Sequence, residues 1–251
     1  MTEPLRHTQT AEHLPEPVVL AVDTSSPQAG LALTAGENLL AEISDHSGRP
    51  HSQTLFQNLE QLLSEASLTL EQVEAFAVVT GPGSFTGLRV GMAAVRGLAH
   101  TLGRPAIGVT TLDAWALAAG AVGRILVMID AMRGEVFCGL REIVQSERGM
   151  IVKTLAADCS AAPEKALAQL RPDLTAGHLF VTGSGARRYE EILKRELDDS
   201  PAAWSLMTGK NTLAVSVARY GAQLLTAGML PEVHAYYLRP SDAEIKFPAA
   251  S

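Results

Sequence analysis

The run VVLAVD at residues 18–23 predicts a buried β-strand, because five consecutive apolar residues precede an aspartate and a group of turn residues. The same pattern restarts in the second half of the chain, where ILVMID spans residues 125–130. A further strand is predicted soon after each run, at residues 30–34 and 135–140. The repetition indicates an internal duplication.

Strands and helices alternate along both halves, which predicts an α/β fold of two related lobes with parallel pairing in each sheet. The duplication resembles the superfold of actin, sugar kinases and heat-shock ATPases, a duplicated ribonuclease H-like (ASKHA) unit. The other predicted strands cover residues 38–44, 75–79, 106–109, 150–155 and 178–182. The predicted helices cover residues 52–66, 85–102, 163–170, 186–197 and 212–227.

The chain divides into three predicted regions. Residues 1–17 are polar and rich in proline, which predicts a disordered tail rather than a signal peptide or a membrane anchor. Residues 18–108 form the predicted first lobe, which would also carry the dimerisation surface. Residues 109–251 form a second, reduced lobe, and one arrangement to test is a C-terminal helix that packs back on the first lobe.

Composition narrows the classes of function. The chain has 251 residues and a net charge of -7, which argues against a protein that grips nucleic acid by itself. Cys138 and Cys159 are too far apart in sequence for a C-x-x-C motif and fit a reducing cytosol. The histidines form no H-x-x-x-H pair, so no metal site is predicted. We expect a cytoplasmic protein without membrane contact.

The run GPGSFTGLRVG at residues 81–91 joins a strand to a helix that contains unexpected glycines. Each glycine inside a helix costs about 1 kcal/mol relative to alanine. Gly87, Gly91, Ala94 and Leu98 share one face, which would let another backbone approach closely. We predict a docking surface there; the alternatives are packing within the chain and a phosphate cradle at the turn. The preceding helix would contribute Leu55, Leu59 and Leu62.

Two aspartates occupy the positions where enzymes of the superfold hold Mg-nucleotide between the lobes. Asp23 ends the first strand of the first lobe, and Asp130 ends its counterpart in the second. Ser25 follows as a candidate phosphate contact. Gly183 and Gly185 lie where the superfold presents a glycine turn to adenosine; the alternative is that they serve a tight turn between a strand and a helix.

The sequence around these positions departs from that of an active phosphate loop. The loop at residues 24–27 has no glycine, and a methionine and an arginine follow Asp130 closely. We therefore predict at most a vestigial nucleotide site, with aspartates that cap turns as the alternative. No serine or cysteine has the setting of a nucleophile, so no catalytic residue is assigned.

Four motifs together resemble the bacterial TsaB (YeaZ) family: VDTS at 22–25, TGPGSFTGLRVG at 80–91, IDA at 129–131 with GEV at 134–136, and YLR at 237–239. The resemblance implies a cytosolic, non-catalytic partner of the paralogous transferase TsaD. With the ATPase TsaE, the two would place a threonylcarbamoyl group on the adenosine beside the anticodon of tRNAs. It also implies a homodimer when TsaD is absent, tRNA contact only through the complex, and no cofactor in this chain, with ATP or ADP at the partner interface.

Comparison with the catalytic paralogue indicates what this chain lacks. The paralogue carries an Asn-His-x-Glu-Gly-His pattern whose two histidines bind a metal. Thr111 and Trp115 stand at those positions here, and neither side chain replaces imidazole as a ligand. The resemblance thus implies a scaffold without transferase chemistry. The alternative is a stand-alone ATP-dependent phosphotransferase or ATPase of the actin-like superfold; a peptidase has no triad or metal pair to support it.

Overall fold

The computed structural model describes residues 16–147, 149–174, 177–198, 202–208 and 212–239. The predicted tail at 1–17 therefore lies outside the described residues except for Glu16 and Pro17. The carbonyl oxygen of Pro17 accepts a hydrogen bond from the Gly36 N–H at 3.1 Å. Within the described ranges, no helix has both the length and the apolarity that a membrane span requires.

The first sheet has five strands: β1 Val18–Asp23, β2 Ala29–Ala35, β3 Asn38–Asp45, β4 Ala75–Val79 and β5 Ala106–Val109. Their order in the sheet is β3-β2-β1-β4-β5. The strand β2 runs antiparallel to both of its neighbours, whereas β1, β4 and β5 pair in parallel. All six residues of β1 are buried, as expected for a continuous apolar run at the centre of a sheet.

The second sheet repeats this topology with the strands β6 Gly123–Asp130, β7 Val136–Ser146, β8 Gly149–Thr154, β9 Cys159–Ala161, β10 Gly177–Thr182 and β11 Ala202–Leu206. Its main strands follow the order β11-β10-β6-β7-β8, and the short strand β9 pairs with β7. Read from the β8 end, the order corresponds to that of the first sheet, again with the second strand antiparallel to both neighbours. This match confirms the duplicated actin-like fold.

Helices cover both sheets and fill the space between them. The helices are α1 His51–Ala66, α2 Phe85–Leu102, α3 Thr111–Ala118, α4 Pro163–Leu170, α5 Ser184–Arg188, α6 Glu190–Leu197 and α7 Leu213–Thr226. The helices α1 and α2 pack on one face of the first sheet, and α7 packs on its other face. The helix α3 contacts α7 and the second sheet, while α4 and α5 contact strands of that sheet and α6 packs against them. The lobes thus share a middle layer of α3 and α7.

Several elements differ from the predictions. The helix predicted over 186–197 is two helices, because Tyr189 leaves helical geometry at φ -113° and ψ 31°. The helix α3 and the strands β9 and β11 were not predicted. Five of the eight residues of α3 are buried, so it has no apolar stripe against a polar face that periodicity could detect.

The segment after α7 crosses from the first lobe to the second. The Gly108 N–H donates to the Pro231 carbonyl oxygen at 2.9 Å, and the Tyr236 N–H donates to the Thr80 carbonyl oxygen at 2.9 Å. Farther along, Arg239 pairs with Glu135 at 2.9 Å. We call residues 229–239 the C-terminal strap.

Candidate functional site

The glycine-rich turn before α2 uses its backbone donors within the chain. The Ser84 N–H donates to the Ser25 carbonyl oxygen at 2.7 Å, and the Gly87 N–H donates to Ser84 Oγ at 3.2 Å. A Cβ atom on Gly83 would overlap the Ser25 carbonyl oxygen. The Ser84 and Gly87 N–H groups are therefore not free for a phosphate at this turn, which disfavours the phosphate-cradle interpretation.

The helical glycines accommodate the loop that follows β1. A Cβ atom on Gly87 would overlap the Thr24 carbonyl oxygen, and one on Gly91 would overlap Thr24 Oγ1. The Thr24 hydroxyl donates a hydrogen bond to the Gly87 carbonyl oxygen at 2.8 Å. The prediction that these glycines receive a partner's backbone is therefore wrong, because the chain's own loop fills the space.

The other residues of the predicted docking surface also face inward. The side chains of α1 in that prediction are 0–6% exposed and lie in the core of the first lobe: Leu55, Leu59 and Leu62. Ala94 and Leu98 are half-buried and pack against the same core. The apolar stripe of α1 is thus satisfied by the first sheet. The prediction therefore named the wrong faces of α1 and α2. The two helices still form one side of the molecule.

A set of residues shifted by one position towards the N-terminus lies on the solvent side of α2. Thr86, Val90, Ala93 and Gly97 have the same spacing as the predicted set. Val90 is half-buried, and the other three are exposed. A Cβ atom on Gly97 would meet nothing within 4 Å. This face presents small side chains to solvent, and the exposed Arg89, Arg96 and His100 lie beside it on the same helix.

An aromatic side chain lies beside this face. Phe56 of α1 is 53% exposed. Asn58, on the opposite flank of α1, donates to Asp45 of β3 at 3.1 Å, so Phe56 lies on the flank nearer α2. We define the outer helix face as Phe56, Thr86, Val90, Ala93 and Gly97.

Both candidate nucleotide-site aspartates cap turns. Asp23 Oδ1 accepts the Ser25 N–H at 2.8 Å, and Asp130 Oδ1 accepts the Met132 N–H at 3.0 Å. Asp130 Oδ2 also pairs with Arg188 at 2.6 Å. A guanidinium therefore neutralises the carboxylate that would have to organise magnesium. This geometry is the alternative that the sequence left open.

The glycines of the second lobe pack against the backbone of β6. A Cβ atom on Gly183 would overlap the Met128 carbonyl oxygen. One on Gly185 would lie 2.9 Å from the Ile129 carbonyl carbon. Close packing between strand and helix explains both glycines, and no contact to adenosine is needed for it.

The comparisons with known proteins identify the family. A protein-family model described as "TsaD: tRNA N6-adenosine threonylcarbamoyltransferase" matches residues 39–219. The Haemophilus influenzae tRNA threonylcarbamoyladenosine biosynthesis protein TsaB is 32% identical over an alignment of 193 residues, and the match covers 74% of this chain and 79% of that protein. This chain belongs to the TsaB (YeaZ) family.

Two solved structures from Pseudomonas aeruginosa agree with this family assignment. One is described as similar to the peptidase YEAZ; it has a TM-score of 0.71 and 27% identity, and the match covers 89% of this chain and all of that one. The other is YeaZ, with a TM-score of 0.64 and 25% identity over 88% of this chain and all of that one. The two-lobed fold of this TsaB-family chain is therefore that of YeaZ.

Two residues of this TsaB-family chain stand where the resemblance places the metal-binding histidines of TsaD. Thr111 begins α3 and is buried, and Trp115 packs against the core of the second lobe. Across the ranges that the structure describes, no three histidine, cysteine, aspartate or glutamate side chains are grouped to hold a metal ion. Thr111 and Trp115 thus take part in packing.

The sequence interpretation missed two features of this TsaB-family chain. Near α2, Tyr237 of the C-terminal strap stacks on Phe85 with ring centroids 4.9 Å apart. The guanidinium of Arg89 lies 3.8 Å from the centroid of the Phe85 ring. The strap thus fixes the N-terminal turn of α2. The second feature is a buried charge cluster around Arg141, which only long-range contacts reveal.

Replacing Asp23 by asparagine is expected to stabilise the fold near neutral pH. Burial raises the pKa of Asp23, although hydrogen bonds from Ser25 and the charge of His51 oppose the shift. A raised folded-state pKa gives stability that is present at low pH and is lost as the pH rises through that pKa. An asparagine oxygen would still accept the Ser25 N–H without burying a charge.

The measurement is urea denaturation as a function of pH. The difference between variant and wild type should shrink as the pH falls and vanish below 3.8, the ordinary aspartate value. A variant that is less stable than wild type at neutral pH would contradict this expectation. It would show that the charge of Asp23 stabilises the loop after β1 beyond the hydrogen bond from the Ser25 N–H.

Proposed function

We propose that this chain is a non-catalytic subunit for the threonylcarbamoylation of the tRNA adenosine beside the anticodon. It acts as a scaffold and activator of the transferase TsaD. The observation that carries the proposal is the outer helix face, an exposed surface of small side chains beside an exposed aromatic ring. The name of the Haemophilus influenzae relative supports the pathway.

The partner that fits this face is a protein with a similar pair of helices. The chain matches the TsaD family model over residues 39–219, a range that includes α1 and α2, so TsaD is expected to carry counterparts of both helices. The distance between packed helices depends on the side chains at the contact, and small residues allow a close approach. Phe56 would serve as the buried aromatic anchor of such a contact.

A role without catalysis fits the contacts of the two aspartates that would hold a nucleotide between the lobes. Asp130 is paired with Arg188, and Asp23 is buried and bonded to its own loop. These contacts disfavour the alternative of a stand-alone ATPase or phosphotransferase, which would need both carboxylates for magnesium. In this proposal ATP or ADP binds at the interface with TsaD, TsaE joins the assembly, and tRNA is contacted only through the complex.

A second copy of this chain would occupy the same face when TsaD is absent. The proposal therefore includes a homodimer that dissociates as TsaD is added. Both assemblies would use the outer helix face, so one substitution there should weaken both. Gly91 is not a suitable position for this substitution, because it packs against Thr24 within the chain.

The test replaces Ala93 by arginine. Ala93 is exposed on α2, so the fold should keep its stability to within about 0.5 kcal/mol. In the complex, the long side chain would separate the helices and bring an unpaired charge into the interface. We expect at least about a tenfold loss of affinity for TsaD, measured by calorimetry or by co-purification.

The matched control is Ala168→Arg. Ala168 is also exposed on a helix, but α4 belongs to the second lobe and covers the other sheet. This variant should bind TsaD as wild type does. Undiminished binding by Ala93→Arg, or equal losses in both variants, would remove the outer helix face from the proposal.

A further inference from the structure

The two cysteines of the chain lie directly opposite each other in the second sheet. The strand β9 pairs antiparallel with β7, and Cys138 is the register partner of Cys159. They are the only cysteines in the sequence, and both are free thiols. Their separation along the chain concealed this pairing, because the β7–β8 hairpin lies between them.

The backbone geometry of such a pair meets the requirement of a disulfide. Directly opposed residues of antiparallel strands have Cα atoms about 4.5–5.5 Å apart, and their side chains lie on the same face. A disulfide requires Cα atoms about 4.4–6.8 Å apart. Cys138 and Cys159 could therefore be joined without moving either strand substantially.

The two thiols differ in accessibility. Cys138 is fully buried, whereas Cys159 is half-buried on the short edge strand. The neighbouring Cys159 thiol raises the pKa of Cys138, and burial raises it further. The Cys138 thiol in turn lowers the pKa of Cys159 against the opposing effects of burial and Asp158. Cys159 is thus the thiol that a reagent in solution reaches first, as a reactive cysteine requires.

We propose that Cys138 and Cys159 form an oxidation site at which a peroxide closes an intramolecular disulfide. The Cys159 thiolate attacks one peroxide oxygen, the O–O bond breaks, and the leaving hydroxide takes a proton to become water. The Cys138 sulfur then attacks the resulting sulfenic acid and displaces its hydroxyl, which leaves as water with the Cys138 proton. Two thiols and one hydrogen peroxide give one disulfide and two waters.

The disulfide would fasten a weakly held strand. The strand β9 has three residues and pairs with β7, off the main path of the sheet. Asp158 precedes it and binds Arg141 at 2.7 Å and the Tyr236 hydroxyl of the C-terminal strap at 2.9 Å. Oxidation would therefore hold Asp158 in place and stiffen the attachment of the strap to the second lobe.

The test treats the full, reduced chain with hydrogen peroxide, blocks remaining thiols by alkylation and measures the intact mass. We expect a monomer whose mass is lower by two hydrogen atoms and that is not alkylated. Treatment with dithiothreitol should restore the mass and the two thiols of the reduced chain. Because the fold brings the sulfurs together, closure should be at least about tenfold faster in the folded chain than in urea. The oxidised chain should also melt at a higher temperature than the reduced one.

The variants Cys138→Ser and Cys159→Ser provide the controls. Neither should form the intramolecular product, and Cys138→Ser should keep a peroxide-reactive thiol at Cys159 that a sulfenic-acid probe labels. Two alkylated thiols after peroxide treatment of wild type would overturn the proposal. Disulfides formed only between chains, or closure that is no faster in the folded chain than in urea, would also overturn it.

Discussion

Replacing Gly87 by alanine is expected to lower the free energy of unfolding by roughly 2–3 kcal/mol. The added methyl group would overlap the carbonyl oxygen of Thr24, a backbone atom that cannot rotate away. The Thr24 hydroxyl and the Ser25 carbonyl oxygen fix that loop to the start of α2. Relief would require the loop or the helix to move. Equilibrium unfolding in guanidinium chloride measures the loss.

Gly97→Ala is the control on the same helix. Its Cβ atom would lie in open space, so the variant should be as stable as wild type or gain up to about 1 kcal/mol from helix propensity. Opposite signs at the two glycines would separate a packing effect from a propensity effect. Equal stability of Gly87→Ala and wild type would show that the loop after β1 yields easily and does not require the glycine.

Asp158→Asn is expected to lower the free energy of unfolding by about 2–3 kcal/mol, because Arg141 keeps Asp113 as its counter-ion but loses charged hydrogen bonds to a buried carboxylate. The side chain of Arg141 is 2% exposed, and that of Asp158 is 5% exposed. Two hydrogen bonds of 2.7 and 2.8 Å join them, and Asp113 accepts from Arg141 Nε at 2.5 Å. An asparagine would turn an amide N–H group towards a cation or lose one of these bonds.

The same substitution removes a carboxylate from the C-terminal strap. Burial and the hydrogen bond to Asp158 raise the pKa of Tyr236 to about 12. In Asp158→Asn this pKa should fall towards the ordinary value of 10.0, which an absorbance titration of tyrosinate would detect.

A surface ion pair provides the comparison for Asp158→Asn. Glu142 lies 3.5 Å from Lys153, and both side chains are substantially exposed. Glu142→Gln should therefore change the free energy of unfolding by less than about 1 kcal/mol. Similar losses in Asp158→Asn and Glu142→Gln would mean that the buried cluster contributes no more than an exposed pair.

The sequence predicts those elements whose ends carry local signals. The helix predicted over 85–102 is observed with those bounds, since Ser84 caps its start and Gly103 adopts the left-handed conformation at its end. The helix over 163–170 likewise begins at a proline. The duplication was predictable from the two apolar runs that end in aspartate, at residues 18–23 and 125–130. A buried central strand is recognisable from its apolar residues alone.

The orientation of α2 could not be predicted in the same way. Periodicity tells which residues share a face, but two adjacent faces of this helix consist largely of small residues. The inward face contains Gly87 and Gly91, and the outward face contains Ala93 and Gly97. The choice between them depends on Thr24, which comes from a loop far away in the sequence. Local patterns contain no information about that contact.

The polar clusters were missed for a similar reason. Arg141 of β7, Asp113 of α3 and Asp158 of the loop before β9 are brought together by the fold, and the facing cysteines by strand pairing. Each residue alone resembles an ordinary surface charge or an isolated thiol. The family motifs, in contrast, were visible because they are contiguous. Much of the glycine-rich motif serves packing within the chain.

The most direct test of the proposed role is the amount of modified nucleoside formed in a reconstituted mixture. The mixture contains the separate synthase that makes the threonylcarbamoyl-adenylate donor, with TsaD, TsaE, ATP, threonine, bicarbonate and tRNA. Our account predicts product with wild type or Ala168→Arg, and little product without the chain or with Ala93→Arg. It also predicts no product from the chain when TsaD is omitted. Full product without the chain, or product from the chain without TsaD, would contradict a non-catalytic subunit that acts through TsaD.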